Sequence, residues 1–358
     1  MDTSDPDIKF DYQGICNHCG RYDEIRETRI IADVNKPREL ARMVGKIKGA
    51  GAKKKYDCLI GVSGGVDSTY VAYLVKELGL RPLAVHFDNG WNSELAVGNI
   101  ERALKKLGID LSTYVVEWEE FKDLQLSFLK ASTPDAEIPT DHGILAILHK
   151  VASMHRIKYI LLGHNYSTEA ILPLKWGYGY FDARYIRDVH NKFGAIKLRT
   201  YPIMSLLKLF YYSQVRGIKI SPILNYVEYN KAAAMTLIEE KLDWINYGGK
   251  HYESIYTRFF QSYILPRKFK IDKRRAHLST LINSDQITRH QALVELEEPI
   301  FDPKRLEEDK EYVIKKLGIT DKEFEDLMNL PAKTFMDYRN IYALFERLKK
   351  YRKKVYTN

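Results

Sequence analysis

From residue 56 onward the chain alternates short apolar runs with longer stretches that are apolar on one side only. Residues 56–62, 82–88, 112–117 and 158–163 have strand length and strand composition. Between them, residues 68–79, 95–107, 120–131 and 142–155 repeat their apolar positions at helical spacing. A strand followed by a helix, repeated, predicts a parallel sheet covered on both faces, so the expected class is α/β, a twisted parallel sheet flanked by helices. Upstream, residues 1 to about 30 read as short loops and 36–54 as a helix that ends in a Gly-Ala-Gly-Ala hinge. Beyond about residue 202 the pattern turns helical, at Lys231–Leu242 and at 256–265, 287–296 and 302–317. Tyr338, Ile341, Phe345 and Leu348 also recur at helical spacing and predict a core-facing stripe. The expected units are an N-terminal segment 1–54, a sheet domain 55–225 and a mainly helical region 226–358.

Composition narrows the class. The chain has 358 residues, 45% of them hydrophobic, enough for a substantial core. No apolar run approaches the roughly 18 residues that span a bilayer. The acidic, polar start MDTSDPDIKFDY does not resemble a secretory leader, so a cytoplasmic protein without a membrane partner is expected. Three cysteines exclude a disulfide scaffold. A net charge of +9 calls for anionic partners but does not choose among nucleic acid, nucleotides and sugar nucleotides. Much of the surplus lies in RLKKYRKK near the C-terminus, which reads as a solvated helix end.

The densest chemical signal is Ser63-Gly64-Gly65-Val66-Asp67-Ser68-Thr69, placed between an apolar strand and the start of a helix. Glycines let backbone N–H groups approach an anion, hydroxyls add donors, and the helix N-terminus adds positive potential. No Gly-Lys-Ser/Thr follows, so this is not a Walker loop. Asp67 would repel phosphate unless Mg²⁺ lay between them, which predicts a metal–pyrophosphate complex.

With this loop the chain resembles the PP-loop ATP pyrophosphatases, an α-hydrolase-like group of adenine-nucleotide folds that includes asparagine, GMP and NAD synthetases and several tRNA-modifying enzymes. Such enzymes cleave ATP between its α and β phosphates and adenylate a second substrate. Two further segments agree with that resemblance: VHFDNGW, with His86 and Asp88 where relatives bind adenine and ribose, and LLGHN, with Gly163, His164 and Asn165 near the phosphates. Ligands in such sheets sit at the carboxyl ends of the strands, where all three segments would meet.

Over most of its length the chain is similar to the N-acetyl sugar amidotransferases, which make acetamidino sugars for bacterial surface polysaccharides such as O-antigen lipopolysaccharide. The matching stretches are MDTSDPDIKFDYQGICNHC, IPTDHGI, GHNYSTE, YGGKHYES, YTRFFQSYILPRKFKIDKRRAHLS and QITRHQALVELEEP. The resemblance implies that an acetamido oxygen is adenylated with release of pyrophosphate and that ammonia then displaces AMP. On this reading ATP and Mg²⁺ are needed, and the acceptor is an N-acetyl sugar, expected as a UDP conjugate. Asp67 is expected to hold the metal. Lys250 and Lys273 would stabilise charge, and Glu253 or His251 would take a proton from ammonia. Asp141, His142, Lys268, Arg274 and Arg275 are candidates for holding the acceptor, since Arg and Lys suit a diphosphate or sugar acid. Because Lys273, Arg274 and Arg275 are consecutive, on a helix they diverge by about 100° each and cannot all face one ligand.

No glutaminase nucleophile is evident, so separate glutaminase and ammonia-channel subunits are the expected partners, as in the histidine-biosynthesis synthase. Cys16-Asn-His-Cys19 has zinc-knuckle spacing but supplies half of a tetrahedral site. The family carries a further cysteine pair just upstream, which leaves structural Zn²⁺ and two free thiols as open alternatives. The rivals are a PP-loop tRNA-modifying enzyme and a non-catalytic nucleotide sensor. No RNA-binding module is recognisable, so nucleic acid is not the expected partner.

Overall fold

The structure, a computed structural model, describes residues 1–248 and 252–342. Five parallel strands form one sheet in the order β3-β2-β1-β4-β5: β1 (Cys58–Gly61), β2 (Pro82–Asp88), β3 (Asp110–Val115), β4 (Tyr159–Leu162) and β5 (Lys219–Pro222). The order reverses between β1 and β4, so the carboxyl ends of these two strands flank the switch point of the sheet. Ahead of the sheet run α1 (Asn17–Thr28) and α2 (Lys36–Gly51). Crossovers are made by α3 (Val66–Glu77), α4 (Glu94–Leu107), α5 (Trp118–Ala131) and α6 (Ile138–Met154). After β4 come α7 (Tyr166–Glu169), α8 (Ala183–Phe193) and α9 (Leu206–Phe210), and after β5 comes α10 (Lys231–Leu242).

The remainder is helical: α11 (Ile255–Phe259), which widens into a π-helix at Phe260–Phe269, then α12 (Arg274–Asn283), α13 (Arg289–Glu297), α14 (Pro303–Leu317) and α15 (Asp321–Asn329). Their ends follow local chemistry. Asp302 accepts from Arg305 N at 2.8 Å and Pro303 follows it at the first helical position, while Gly318, at φ 69°, ends α14.

Strand alternation divides the core. Leu59, Leu83, Val85 and Phe87 face α5, α6 and the C-terminal helices, while Cys58, Ile60, Val62 and Ala84 face α2, α3, α4 and α10. Both faces are buried, as apolar runs in a parallel sheet require. Phe259, Phe260, Ile264, Leu265 and Phe324 belong to the first of these clusters, so the C-terminal helices share the sheet's core. Ala234, Ile238 and Trp244 belong to the second.

Four expectations need correction. Residues 17–28 form α1 where loops were expected. β5 and α8 were not anticipated. The third strand begins at Asp110 and not at residue 112. Tyr338 is extended, at φ −123° and ψ 157°, because its phenol donates to Ala131 O at 2.7 Å; Phe345, Leu348 and the RLKKYRKK run lie outside the described residues. Among the described residues no helix is long and apolar enough to cross a membrane.

Candidate active site

The SGGVDST loop leaves β1 at Gly61 and becomes α3 at Val66. It is closed by its own hydroxyls. Ser68 Oγ accepts from Ser63 N at 3.2 Å and donates to Gly65 O at 3.1 Å, and Ser63 Oγ accepts from Gly65 N at 3.3 Å. Thr69 is buried. The hydroxyls expected to meet phosphate therefore also hold the loop's shape, leaving backbone N–H groups and the start of α3 to face an anion.

The two glycines have different constraints. Gly64 sits at φ 81°, and a Cβ there would lie 2.4 Å from Ala96 O in α4. Gly65 has an ordinary φ of −76°, and its Cβ would meet Ser63 Oγ and Tyr247 Oη at 3.2 Å and Glu253 Oε1 at 3.4 Å. Gly64→Ala is thus expected to destabilise the fold by about 1–3 kcal/mol from backbone strain, plus the clash. Gly65→Ala is expected to spare stability and weaken ATP binding. Thermal melts beside nucleotide titrations separate the two; equal melting temperatures would refute the Gly64 argument.

Three regions distant in sequence converge on the loop. At the end of β4, a Cβ on Gly163 would lie 3.0 Å from Asp67 Cβ, so this strand end packs directly on the acidic residue. Tyr229, ahead of α10, donates its phenol to Asp67 Oδ1. Burial and the Asp67 charge push that phenol's pKa up, so Tyr229 is a neutral donor. The segment after α10 crosses the loop: Trp244 Nε1 donates to Gly64 O at 2.8 Å, and Tyr247 and Glu253 cover Gly65. Burial, then the Glu253 charge, push the Tyr247 phenol up. Glu253 O then accepts from Ser93 N at 2.9 Å, and Ile255 N donates to Trp91 O at 2.9 Å, which fixes the segment to the end of β2. Tyr229 and Trp244 carried no signal in the sequence beyond being aromatic, whereas Tyr247 opens the matching stretch YGGKHYES without a role assigned to it there.

Other candidates hold the frame. His86, buried at the end of β2, places Nδ1 2.9 Å from Val62 O and Nε2 3.2 Å from Asn92 Nδ2. These contacts fit a neutral ring that donates at Nδ1 and accepts at Nε2. Asp88 Oδ1 accepts from Gly90 N at 2.9 Å, and Asn165 Oδ1 caps α7 through Thr168 N at 2.9 Å. His164 is exposed beside Gly163. His142 is buried between Tyr180 O at 2.5 Å and Met204 N at 2.9 Å, and burial lowers its pKa.

The basic segment fans out. Lys273 Nζ pairs with Glu137 at 3.0 Å, a carboxylate that Gln261 Nε2 also reaches at 3.0 Å. Arg274 binds Asp272 and the carbonyls of Glu295 and Glu298, and Arg275 pairs with Asp2. Lys268 donates to Leu327 O in an apolar pocket with Leu129, Phe260 and Phe324, and burial lowers its pKa to about 8. Asp141 is exposed on α6. Lys250 and His251 lie outside the described residues.

For metals, the described residues hold no group of three or more His, Cys, Asp or Glu side chains that could bind an ion. Mg²⁺ tolerates such a site, since one carboxylate together with substrate phosphates and water completes its shell; Asp67 in the first turn of α3 fits that donor set. Cys16 and Cys19 stand with their sulfurs 3.5 Å apart, and the His18 ring is engaged by Asp5 at 2.6 Å. Two thiolates alone do not meet the four-ligand requirement of structural Zn²⁺.

Comparison with known proteins gives three kinds of likeness. GMP synthase (glutamine-hydrolyzing) of Pyrobaculum aerophilum is 29% identical over 202 residues, 54% of this chain and 37% of that protein. tRNA(Ile)-lysidine synthase of Chlamydia pneumoniae is 38% identical over 76 residues, 21% of this chain and 23% of that protein. The chain spans between 23% and 50% of the length of the curated relatives it matches. Among solved structures, NMN synthetase from Francisella tularensis covers 73% of this chain and 96% of its own at 13% identity and a TM-score of 0.33. Residues 253–352 match the family model described as "LPS biosynthesis protein WbpG-like, C-terminal domain". The matched region begins at Glu253, the residue seated over the loop, so this part of the chain is similar to the WbpG-like C-terminal domain of LPS biosynthesis proteins.

Proposed function

We propose that the protein is an ATP-dependent amidotransferase that converts the acetamido group of a nucleotide-linked N-acetyl sugar into an acetamidino group. The carrying observation is the meeting of Gly65, Asp67, Gly163 and Glu253 at one point, where the WbpG-like region joins the loop. Similarity to a GMP synthase, named as an amide-nitrogen user by its glutamine-hydrolyzing activity, supports ATP-driven amidation as the class of chemistry.

In this reaction the acetamido oxygen attacks the α-phosphorus of ATP and pyrophosphate departs. Ammonia adds to the resulting imidate carbon, loses a proton, and AMP leaves with the original oxygen. The products are the amidine, AMP and pyrophosphate. The loop's N–H groups hold the departing pyrophosphate. Mg²⁺ bound with ATP would be held by Asp67 and supply positive charge to the phosphates. Glu253, beside the loop and hydrogen-bonded to Tyr247, would accept the ammonium proton.

The test is mass spectrometry of UDP-N-acetyl sugars incubated with protein, ATP, Mg²⁺ and ammonium. A product in which NH replaces one oxygen, formed with AMP, is expected. Glutamine should not replace ammonium without an added glutaminase. Absence of any such product across the panel would sink the assignment.

A tRNA substrate is the second reading, favoured by the 38% identity to a lysidine synthase. It predicts a stoichiometric tRNA complex that survives physiological salt, whereas a merely basic surface gives binding that falls steeply with salt.

A further inference from the structure

Four of the five side chains first expected to hold the acceptor are engaged elsewhere, and the fifth, Asp141, is exposed on α6. His142, Arg274 and Arg275 are tied to backbone or to acidic partners, and Lys268 is turned into an apolar pocket. Next to the phosphate loop, however, lies a cleft of about 630 Å³, within the size range of small-molecule sites. One wall is Tyr247, whose hydroxyl also covers Gly65. The cleft therefore shares a side chain with the loop.

Its lining combines three chemistries. Tyr252 and Phe301 meet edge to face at 5.1 Å, and the Arg258 guanidinium, held by Asp309, lies 5.6 and 5.3 Å from the two ring centres. Lys304 and Arg305 present exposed cationic heads, and neither forms an ion pair among the described residues. Glu308 adds a carboxylate. Burial raises the Tyr252 pKa and the Asp309 charge adds to it, while the charges of Arg258, Arg274 and Arg305 pull against it, so three cationic groups act on the aromatic floor.

We infer that this cleft binds the nucleoside diphosphate end of the acceptor, with Tyr252 and Phe301 against the base, Lys304 and Arg305 on the two phosphates, and Glu308 on a hydroxyl. Aromatic faces, paired cations and an acceptor carboxylate are what such a ligand needs, and the cleft's second carboxylate, Asp302, is engaged in capping α14 through Arg305 N. Tyr247 then lies between the carrier and the loop, so the sugar extends toward Gly65. This assignment rests on the amidotransferase reading.

The experiment is calorimetric titration of UDP into the full chain at physiological salt, with Mg²⁺ and a saturating non-hydrolysable ATP analogue filling the loop. One UDP should bind per chain. Lys304→Ala/Arg305→Ala should weaken UDP about tenfold or more while leaving analogue affinity unchanged. Lys46→Ala/Lys322→Ala, which removes the same charge from other exposed positions, should bind UDP as the wild type does. If the analogue binds and UDP does not, or if both double variants lose affinity equally, the cleft assignment falls and the amidotransferase reading stands. Failure of the wild type to bind the ATP analogue overturns both.

Discussion

Asp67→Asn is expected to lower turnover by about 10²–10³-fold while leaving the melting temperature within a degree or two of wild type. The substitution removes the negative charge proposed to hold Mg²⁺ but keeps the shape of the side chain. An asparagine Oδ1 can still accept the Tyr229 phenol, so the contact that seats the residue survives. Gly163, packed on the Cβ of residue 67, sees no change. Pyrophosphate release with ammonium and the acceptor gives the rate, and calorimetry gives the stability. Wild-type turnover would remove Asp67 from the mechanism. A collapse in stability would make its role structural.

The second large effect concerns Trp91, which is fully buried at the end of β2. Its ring packs on Trp118, Tyr256 and Tyr312, its Nε1 donates to Gln125 Oε1 at 2.6 Å, and its carbonyl receives Ile255 N. Lys316 stands 5.1 Å above the same ring and donates to Gly90 O. One side chain thus joins the sheet to α11 and α14. Trp91→Ala is expected to cost about 3–5 kcal/mol through the cavity, with a further loss from the unpaired Gln125. Trp91→Phe, which keeps most of the volume, should cost less. Urea titration measures both, and a loss below about 1 kcal/mol for the alanine variant would show that the C-terminal helices do not depend on this contact.

The parallel sheet was legible because each buried strand is a dense apolar run and each crossover helix repeats at its own period. β5 was not, since Lys-Ile-Ser-Pro is a four-residue edge strand with exposed positions and no apolar run. α1 was missed for a related reason: NHCGRYDEIRET buries only Tyr22 and Ile25, too few to mark a face. Tyr338 failed in the opposite direction. Its spacing matched a helix, but a hydrogen bond to Ala131, 207 residues away, holds it extended.

The site divides in the same manner. The loop could be read because its function depends on adjacent residues. Tyr229 and Trp244 could not, because their partners Asp67 and Gly64 lie 162 and 180 residues away. His86, His142 and Asn165 looked chemical in the sequence because polarity alone does not say where a side chain points. Each proves to be engaged by backbone groups of the frame. For Lys273, Arg274 and Arg275 the helical divergence was legible, and their three separate partners follow it.

The hydrogen bond from Trp244 to Gly64 has an optical consequence. Of the chain's four tryptophans, Trp91 and Trp118 meet edge to face, and Trp176 is buried in the core cluster that lies on the opposite face of the sheet. Trp244 alone donates its indole N–H to the phosphate loop. Indole emission responds to the polarity and field at that N–H, so filling the loop with a polyanion should shift the fluorescence of this one residue. Under the proposed ATP-binding role of the loop, Trp244 would be an unlabelled reporter of nucleotide occupancy, and Trp244→Phe should silence it.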